Sequence, residues 1–167
     1  LIPSAITPVI CFVMMDWSWA RDGGGERLER FKDELAAAIR GCRKRGYQVV
    51  CVGHSHLSAH GQDDVGFARS VLQRTEIDGV SVETASTPDE LRAIYRDADV
   101  VVGTRMHACI LSLLEGVPAL ALAYQPKTTG LYDQLGLTDW CGDVETVTAT
   151  GLLEDIEALI ANGDASR

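Results

Sequence analysis

No apolar run in this chain of 167 residues reaches the ~20 residues that a bilayer-spanning helix requires, so no membrane span is predicted. The opening stretch, LIPSAITPVICFVMM, has no basic segment ahead of its apolar residues, which argues against a secretory signal peptide. It also lacks an initiator Met, and with Pro3 and Pro8 the segment 1–8 reads as a linker entering a strand, as expected of a piece of a longer protein. The five cysteines (Cys11, Cys42, Cys51, Cys109 and Cys141) form no CxxC pair, and their odd number and wide scatter disfavour both a disulfide framework and a thiolate zinc site. Cys11, Cys51 and Cys109 fall inside apolar segments, where free cysteine packs as a small hydrophobe, and the pattern suits a reducing, cytoplasmic compartment. Basic residues are few: 15 Lys and Arg against 24 Asp and Glu give a formal net charge of −9, which argues against a nucleic-acid partner. Neither GxGxxG nor GxxxxGK[ST] occurs, so the usual dinucleotide loop and the P-loop are both excluded. Internal repeats and low-complexity segments are absent as well.

What is present is a chain of ordinary globular composition, 46% apolar and 23% charged, long enough for one domain with a sizeable core or for half of a two-domain protein. Its centre is Ala98 to Tyr124, ADVVVGTRMHACILSLLEGVPALALAY. The apolar runs Val100–Val102 and Ala119–Ala123 fit strands buried on both faces, as in a parallel sheet. Between them Gly103-Thr104-Arg105-Met106-His107 reads as a polar turn, Ala108 to Glu115 as a helix, and Gly116 as its stop. A strand, turn, helix and strand in that order make a βαβ crossover.

The rest of the chain repeats the alternation. Strands are predicted at Val9–Met15, Tyr47–Val52 and Val80–Glu83, with a short one within Gly136–Gly142. Helices are predicted at Glu26–Arg45, Val65–Arg74, Pro88–Arg96, after Gly130 through Leu135, and at Val147–Ala161. Thr87, Pro88 and Glu90 supply an N-cap, a first helical position and a capping-box acid. Such alternation specifies a doubly wound, mostly parallel α/β sheet, a Rossmann-like three-layer domain.

Open sheets of this class bind ligands at the carboxyl ends of their strands, where helix starts favour anions. Arg105 and His107 fall at that place, a guanidinium fork for a carboxylate or phosphate beside an imidazole that moves a proton near neutral pH. Capping the helix or pairing with a surface acid are the alternatives for both. Lys127 follows the strand ending at Tyr124, one strand over from Arg105 if sequential strands are neighbours, and suits a phosphate or else is a plain surface lysine. His54, His56 and His60 form an HxHxxxH loop cluster; solvent-facing or capping roles outweigh metal binding there, and His54 is placed to line a cleft. Asp64 reads equally as N-cap of the following helix or as a catalytic acid. Trp17 and Trp19 suit either a sugar platform or a rim, the run Gly23–Gly25 reads as a flexible turn, and Glu115 lies at the far end of its helix from Arg105.

The stretch GTRMHAxILSLxEGVPALALAYxPK resembles the polysaccharide pyruvyl transferase family, whose members carry a GxRxH turn, a helix, GVP, an apolar strand, and a Tyr with a Lys a few residues on. Here those positions are Gly103, Arg105, His107, Gly116-Val117-Pro118, Tyr124 and Lys127, and the similarity spans roughly Val49 to Leu135. The resemblance implies one half, the C-terminal one, of a glycosyltransferase-B-like fold, with an N-terminal domain as its missing partner. It implies transfer of the pyruvyl group of phosphoenolpyruvate to two sugar hydroxyls of a glycan or lipid-linked acceptor, forming a ketal and releasing phosphate. Arg105 would then hold the donor's carboxylate or phosphate, His107 would act as general acid, and Lys127 with the helix start would stabilise departing phosphate. Gly103, Thr104, His54 and Tyr124 complete the expected substrate-binding set. No metal and no organic cofactor is implied. Family members commonly carry a further Arg near the end of this domain's first strand; here that region reads Val13-Met14-Met15-Asp16, with Arg21 the nearest candidate. The rivals are a nucleotide-sugar glycosyltransferase or epimerase-like enzyme of the same fold, for which Glu115 is a poor ribose partner by position, and a non-catalytic ligand-binding module.

Overall fold

A computed structural model describes residues 6–22, 24–54, 56–57 and 62–165. Strand β1 (Val9–Val13) leads through a one-turn helix (Ser18–Ala20) to α1 (Gly24–Lys44) and β2 (Gln48–Gly53). A small hairpin, β3 (His56–Leu57) with β4 (Gln62–Asp63), precedes α2 (Asp64–Thr75), β5 (Ser81–Thr84) and α3 (Pro88–Arg96). The central unit is β6 (Val100–Gly103), α4 (Met106–Leu114) and β7 (Ala119–Ala123). Then come α5 (Pro126–Gln134), a short turn (Thr138–Trp140), β8 (Cys141–Asp143) and α6 (Ala149–Ala165).

Six strands form one sheet in the order β5-β2-β1-β6-β7-β8, every pairing parallel. The order reverses between β1 and β6, and such a switch point opens a crevice at the carboxyl ends of the strands. Alternation along the strands divides the core. Ile10, Phe12, Val49, Cys51, Val100, Val102, Leu120 and Leu122 face α1, α2 and α6, where Phe31, Leu35, Ile39, Val71 and Ile156 meet them. Smaller residues (Cys11, Val52, Val101, Ala119, Ala121) face α3, α4 and α5. There Tyr95 and Tyr132 refill the volume that short side chains leave, and Tyr132 donates its hydroxyl to the Ala119 carbonyl at 2.9 Å. All five cysteines are unbridged. Burial pushes the thiols of Cys42, Cys51 and Cys109 up to about 12, which leaves them protonated packing groups.

Three boundaries differ from the sequence reading in ways that matter, one of them at α5, which opens at Pro126 and not after Gly130 and so carries Lys127 in its first turn. Of the run at residues 23–25, Gly23 lies outside the described residues, while Gly24 and Gly25 are not turn residues but open α1, with Gly24 buried beneath Ser18. Helix α4 starts at Met106 and not Ala108, which moves His107 from the turn into the first helical turn. The short last strand, Cys141–Asp143, falls at the end of the expected stretch and one residue past it, and Thr87 and Pro88 start α3 as their residue types predict.

Candidate functional site

The carboxyl ends of β6 and β7 each deliver the chain into a helix without a side-chain cap. The residue before α4 is Arg105, in an extended conformation, and the one before α5 is Gln125; neither side chain bonds the helix amides. Elsewhere the chain uses its caps: Asp63 accepts from Gly66 N at α2, and Thr87 accepts from Glu90 N at α3. At these two uncapped N-termini Ala108 N and Thr128 N turn back to the Arg105 and Gln125 carbonyls, and Pro126 has no N–H, which leaves the amides of Met106, His107 and Lys127 without an intrahelical acceptor and suited to an anion. Gly103 permits the tight entry into α4, since a Cβ there would lie 2.8 Å from the Cys109 sulfur.

Between these helices lies a cleft of about 320 Å³ lined by His54, Arg105, Met106, His107, Tyr124, Gln125, Lys127 and Thr128. The structure therefore gathers Arg105, His107, Lys127, His54 and Tyr124 into one place, from the ends of β2, β6 and β7. His107 and Lys127 are exposed, each in the first turn of its helix. Gly103 and Thr104 lie behind the lining: both are buried, and the Thr104 amide bonds the Val13 carbonyl across the switch point at 2.9 Å. The Thr104 hydroxyl is buried with no hydrogen-bond partner among the described residues.

Asp64, offered by the sequence as cap or catalytic acid, is not the cap, which is Asp63. Its carboxylate is 1% exposed and grips Arg105 side-on, Nε to Oδ2 and Nη2 to Oδ1, both at 2.7 Å. Oδ2 also accepts the backbone amide of His54 at 3.1 Å. Burial opposes the Arg105 charge, but the hydrogen bonds and the negative charge of Asp64, with a smaller pull from Tyr124, together outweigh it, so Arg105 is held more firmly protonated than a free arginine. His54 packs flat on the Tyr95 ring at 5.9 Å, and its Nε2 hydrogen-bonds the Tyr95 hydroxyl. Desolvation lowers its pKa to about 4 against the pull of Asp64, with Arg105 and His107 lowering it further, so it is neutral at pH 7. His54 thus forms a fixed wall of the cleft and carries no charge into it.

Other candidates fall elsewhere. Arg21 donates to the Tyr124 carbonyl, to both oxygens of Asp143 and to Glu145, so the nearest stand-in for a first-strand arginine is bound to the β8 edge. Trp17 is buried edge-on against Phe31, whereas Trp19 is 58% exposed and stands edge-on to Tyr124 at the cleft side. Glu115 pairs with Arg92 and Arg96 of α3, remote from the cleft. In the histidine cluster, residues 58–61 with His60 lie outside the described residues, and His56 pairs across the hairpin with Asp63. Among the described residues, no group of three or more His, Cys, Asp and Glu is placed to hold a metal, and no helix is long and apolar enough to cross a membrane. The Asp64–Arg105 pair, 41 residues apart, left no sequence signal beyond an acid at a helix start.

Residues 2–126 match the family described as polysaccharide pyruvyl transferase. The amylovoran biosynthesis protein AmsJ of Erwinia amylovora is 26% identical over 146 residues, covering 83% of this chain and 34% of AmsJ. In fold, the chain is similar to the E. coli ADP-heptose LPS heptosyltransferase II (TM-score 0.61, 16% identity, 96% of this chain and 49% of that one). It is also similar to a family 9 glycosyl transferase from Veillonella parvula (TM-score 0.56, 14% identity, 93% and 46%). The chain therefore spans about a third of its curated relative and about half of these glycosyltransferases. At such identities the solved structures speak for the α/β, glycosyltransferase-B-like fold alone.

Proposed function

The chain belongs to the polysaccharide pyruvyl transferase family, and on that premise we propose that it carries the phosphoenolpyruvate site of an enzyme that ketalises a glycan. It would form one half of a glycosyltransferase-B-like protein, the other half supplying acceptor contacts. A transferase role in polysaccharide modification accords with the family and with a relative named for amylovoran biosynthesis. The carrying observation is the meeting of Arg105, His107 and Lys127 in one cleft at two uncapped helix N-termini.

In this reading the donor carboxylate takes the open edge of Arg105, and the phosphate lies toward Lys127 and its backbone amide at the start of α5. His107 gives a proton to the methylene carbon, forming the methyl C–H bond and leaving the neighbouring carbon electron-poor. An acceptor hydroxyl adds to that carbon and returns its proton to His107. The C–O bond to phosphate breaks, the phosphate leaving with the electron pair, and a second hydroxyl adds to close the ketal and gives its proton to the departing phosphate. Lys127 and the helix amides stabilise the charge that develops on the departing phosphate. The acid and the counter-charge both come from side chains and amides, so the proposed reaction uses phosphoenolpyruvate as donor and calls for no cofactor.

A thermal-shift titration tests this. Ligand that binds only the folded state raises the melting temperature by mass action. Phosphoenolpyruvate is expected to do so for wild type and not for Arg105→Ala, while His107→Asn retains the shift and loses turnover. A shift with a uridine diphosphate sugar and none with phosphoenolpyruvate would transfer the assignment to a glycosyltransferase. No shift with either would remove the donor site from this chain.

A further inference from the structure

We infer that Asp64 is the positioning residue of the oxyanion site, closing one edge of the Arg105 guanidinium so that the other is presented to the cleft. The geometry stands by itself, and only the identity of the anion rests on the donor reading above.

Asp64 is too deeply buried to meet a substrate, and a buried carboxylate must be paired. Its site is built from several directions. It is the first residue of α2, where the helix dipole favours negative charge, and Asp63 does the capping so the Asp64 carboxylate is available for Arg105. The His54 amide adds a hydrogen bond from the end of β2. Gly53 lets α2 approach, since a Cβ there would lie 2.8 Å from a Val65 methyl and 3.5 Å from the Asp64 Cβ. A guanidinium has about five N–H donors in one plane. The side-on pairing uses one from Nε and one from Nη2, while Nη1 makes no hydrogen bond among the described residues. The remaining pair on the Nη1–Nη2 edge is parallel and held in orientation, the form that binds an oxyanion through two hydrogen bonds.

Positioning and simple charge predict opposite signs. Asp64→Asn removes a negative charge next to the cleft, so Coulomb attraction alone would tighten an anion. If Asp64 sets the fork, the same change loosens it. The experiment is calorimetric titration of phosphoenolpyruvate and of inorganic phosphate into wild type, Asp64→Asn, Asp64→Glu, Arg105→Ala and the double variant Asp64→Asn/Arg105→Ala. Alongside it, NMR would follow the Arg105 Nε–H signal, with the backbone amide spectrum reporting folding. The expected result is at least a tenfold rise in Kd with Asp64→Asn, partial recovery with Asp64→Glu, and no further loss when Asp64→Asn is combined with Arg105→Ala. The Nε–H signal should be slow to exchange in wild type and lost in Asp64→Asn. Unchanged or tighter binding by Asp64→Asn, or an equal loss when it is added to Arg105→Ala, overturns the inference. If Asp64→Asn does not fold, Asp64→Glu binding as tightly as wild type overturns it instead. Wild type that binds phosphate and not phosphoenolpyruvate, with phosphate loosened by Asp64→Asn, keeps the positioning role and removes the donor assignment. Binding of neither anion overturns both.

Discussion

Two arginines stand near the carboxyl edge of the sheet, each holding an aspartate through two parallel hydrogen bonds, and they end in different chemical states. Arg21 reaches Asp143 at 3.0 and 2.9 Å, and its Nε and Nη1 also meet the Tyr124 carbonyl and Glu145. All three of its nitrogens are engaged, so it ties the loop after β1 to the ends of β7 and β8. Arg105 gives its Nε and Nη2 to Asp64, lines the cleft, and makes no hydrogen bond through Nη1 among the described residues. The lesson is that an ion pair alone does not make an arginine structural. What matters is which edge is engaged, and only the three-dimensional partners decide that.

The largest expected break in the comparison is in anion binding. Arg105→Ala should weaken phosphoenolpyruvate by about 100-fold or more, roughly 3 kcal/mol for a directed charged pair of hydrogen bonds. Arg21→Ala should leave its Kd within about twofold, because that side chain has no open edge. Calorimetry on both variants checks the contrast, and equal losses would erase it.

Next in size is the histidine behind Arg105. Because the fold lowers the His54 pKa from 6.5 to about 4, the native state favours the neutral ring. Stability from this group is complete above the unfolded value and is lost as pH falls through the interval down to about 4. The loss is at most about 3 kcal/mol, less for its partial exposure. Denaturant unfolding of wild type and His54→Gln from pH 7 to pH 4 should show the steeper decline in wild type. Parallel profiles would deny His54 its neutral, buried role.

Smaller is the stability that Arg21 contributes. Arg21→Ala should cost about 1 kcal/mol, a drop in Tm of roughly 2–4 °C, since its pair with Asp143 is partly exposed. Smallest is the contrast between capped and uncapped helices. Thr87→Ala removes a working cap and should cost about 1 kcal/mol, whereas Gln125→Ala should cost only a few tenths, because Gln125 caps nothing. Thermal unfolding of the two variants measures the difference.

Most of the fold was legible in the chain because its signals are local. Val100–Val102 and Ala119–Ala123 fit strands buried on both faces, and both lie within the strands observed. Thr87-Pro88 and Gly116 punctuate helices by their backbone chemistry. The misreadings have physical causes. Gly24 and Gly25 read as turn because glycine is a poor helix former, yet the packing of Ser18 over Gly24 favours a residue with no Cβ. His107 read as a turn residue because Arg105 and Met106 obscured where α4 begins, and an uncapped start carries no Ser, Thr, Asp or Asn to announce itself.

The chain by itself determined the alternation of strands and helices, the doubly wound parallel class that follows from it, and the placing of Arg105, His107 and Lys127 just after strands. These depend on hydrophobic period and on short-range backbone preference, which act within a few residues. The tertiary structure alone decided that Asp64 and not Asp63 faces Arg105, that Arg21 is bound on every nitrogen, that His54 is neutral, and that Trp17 is buried while Trp19 is exposed. Those outcomes rest on desolvation and on hydrogen bonds between segments far apart in the chain, and neither exists until the sheet has brought the segments together.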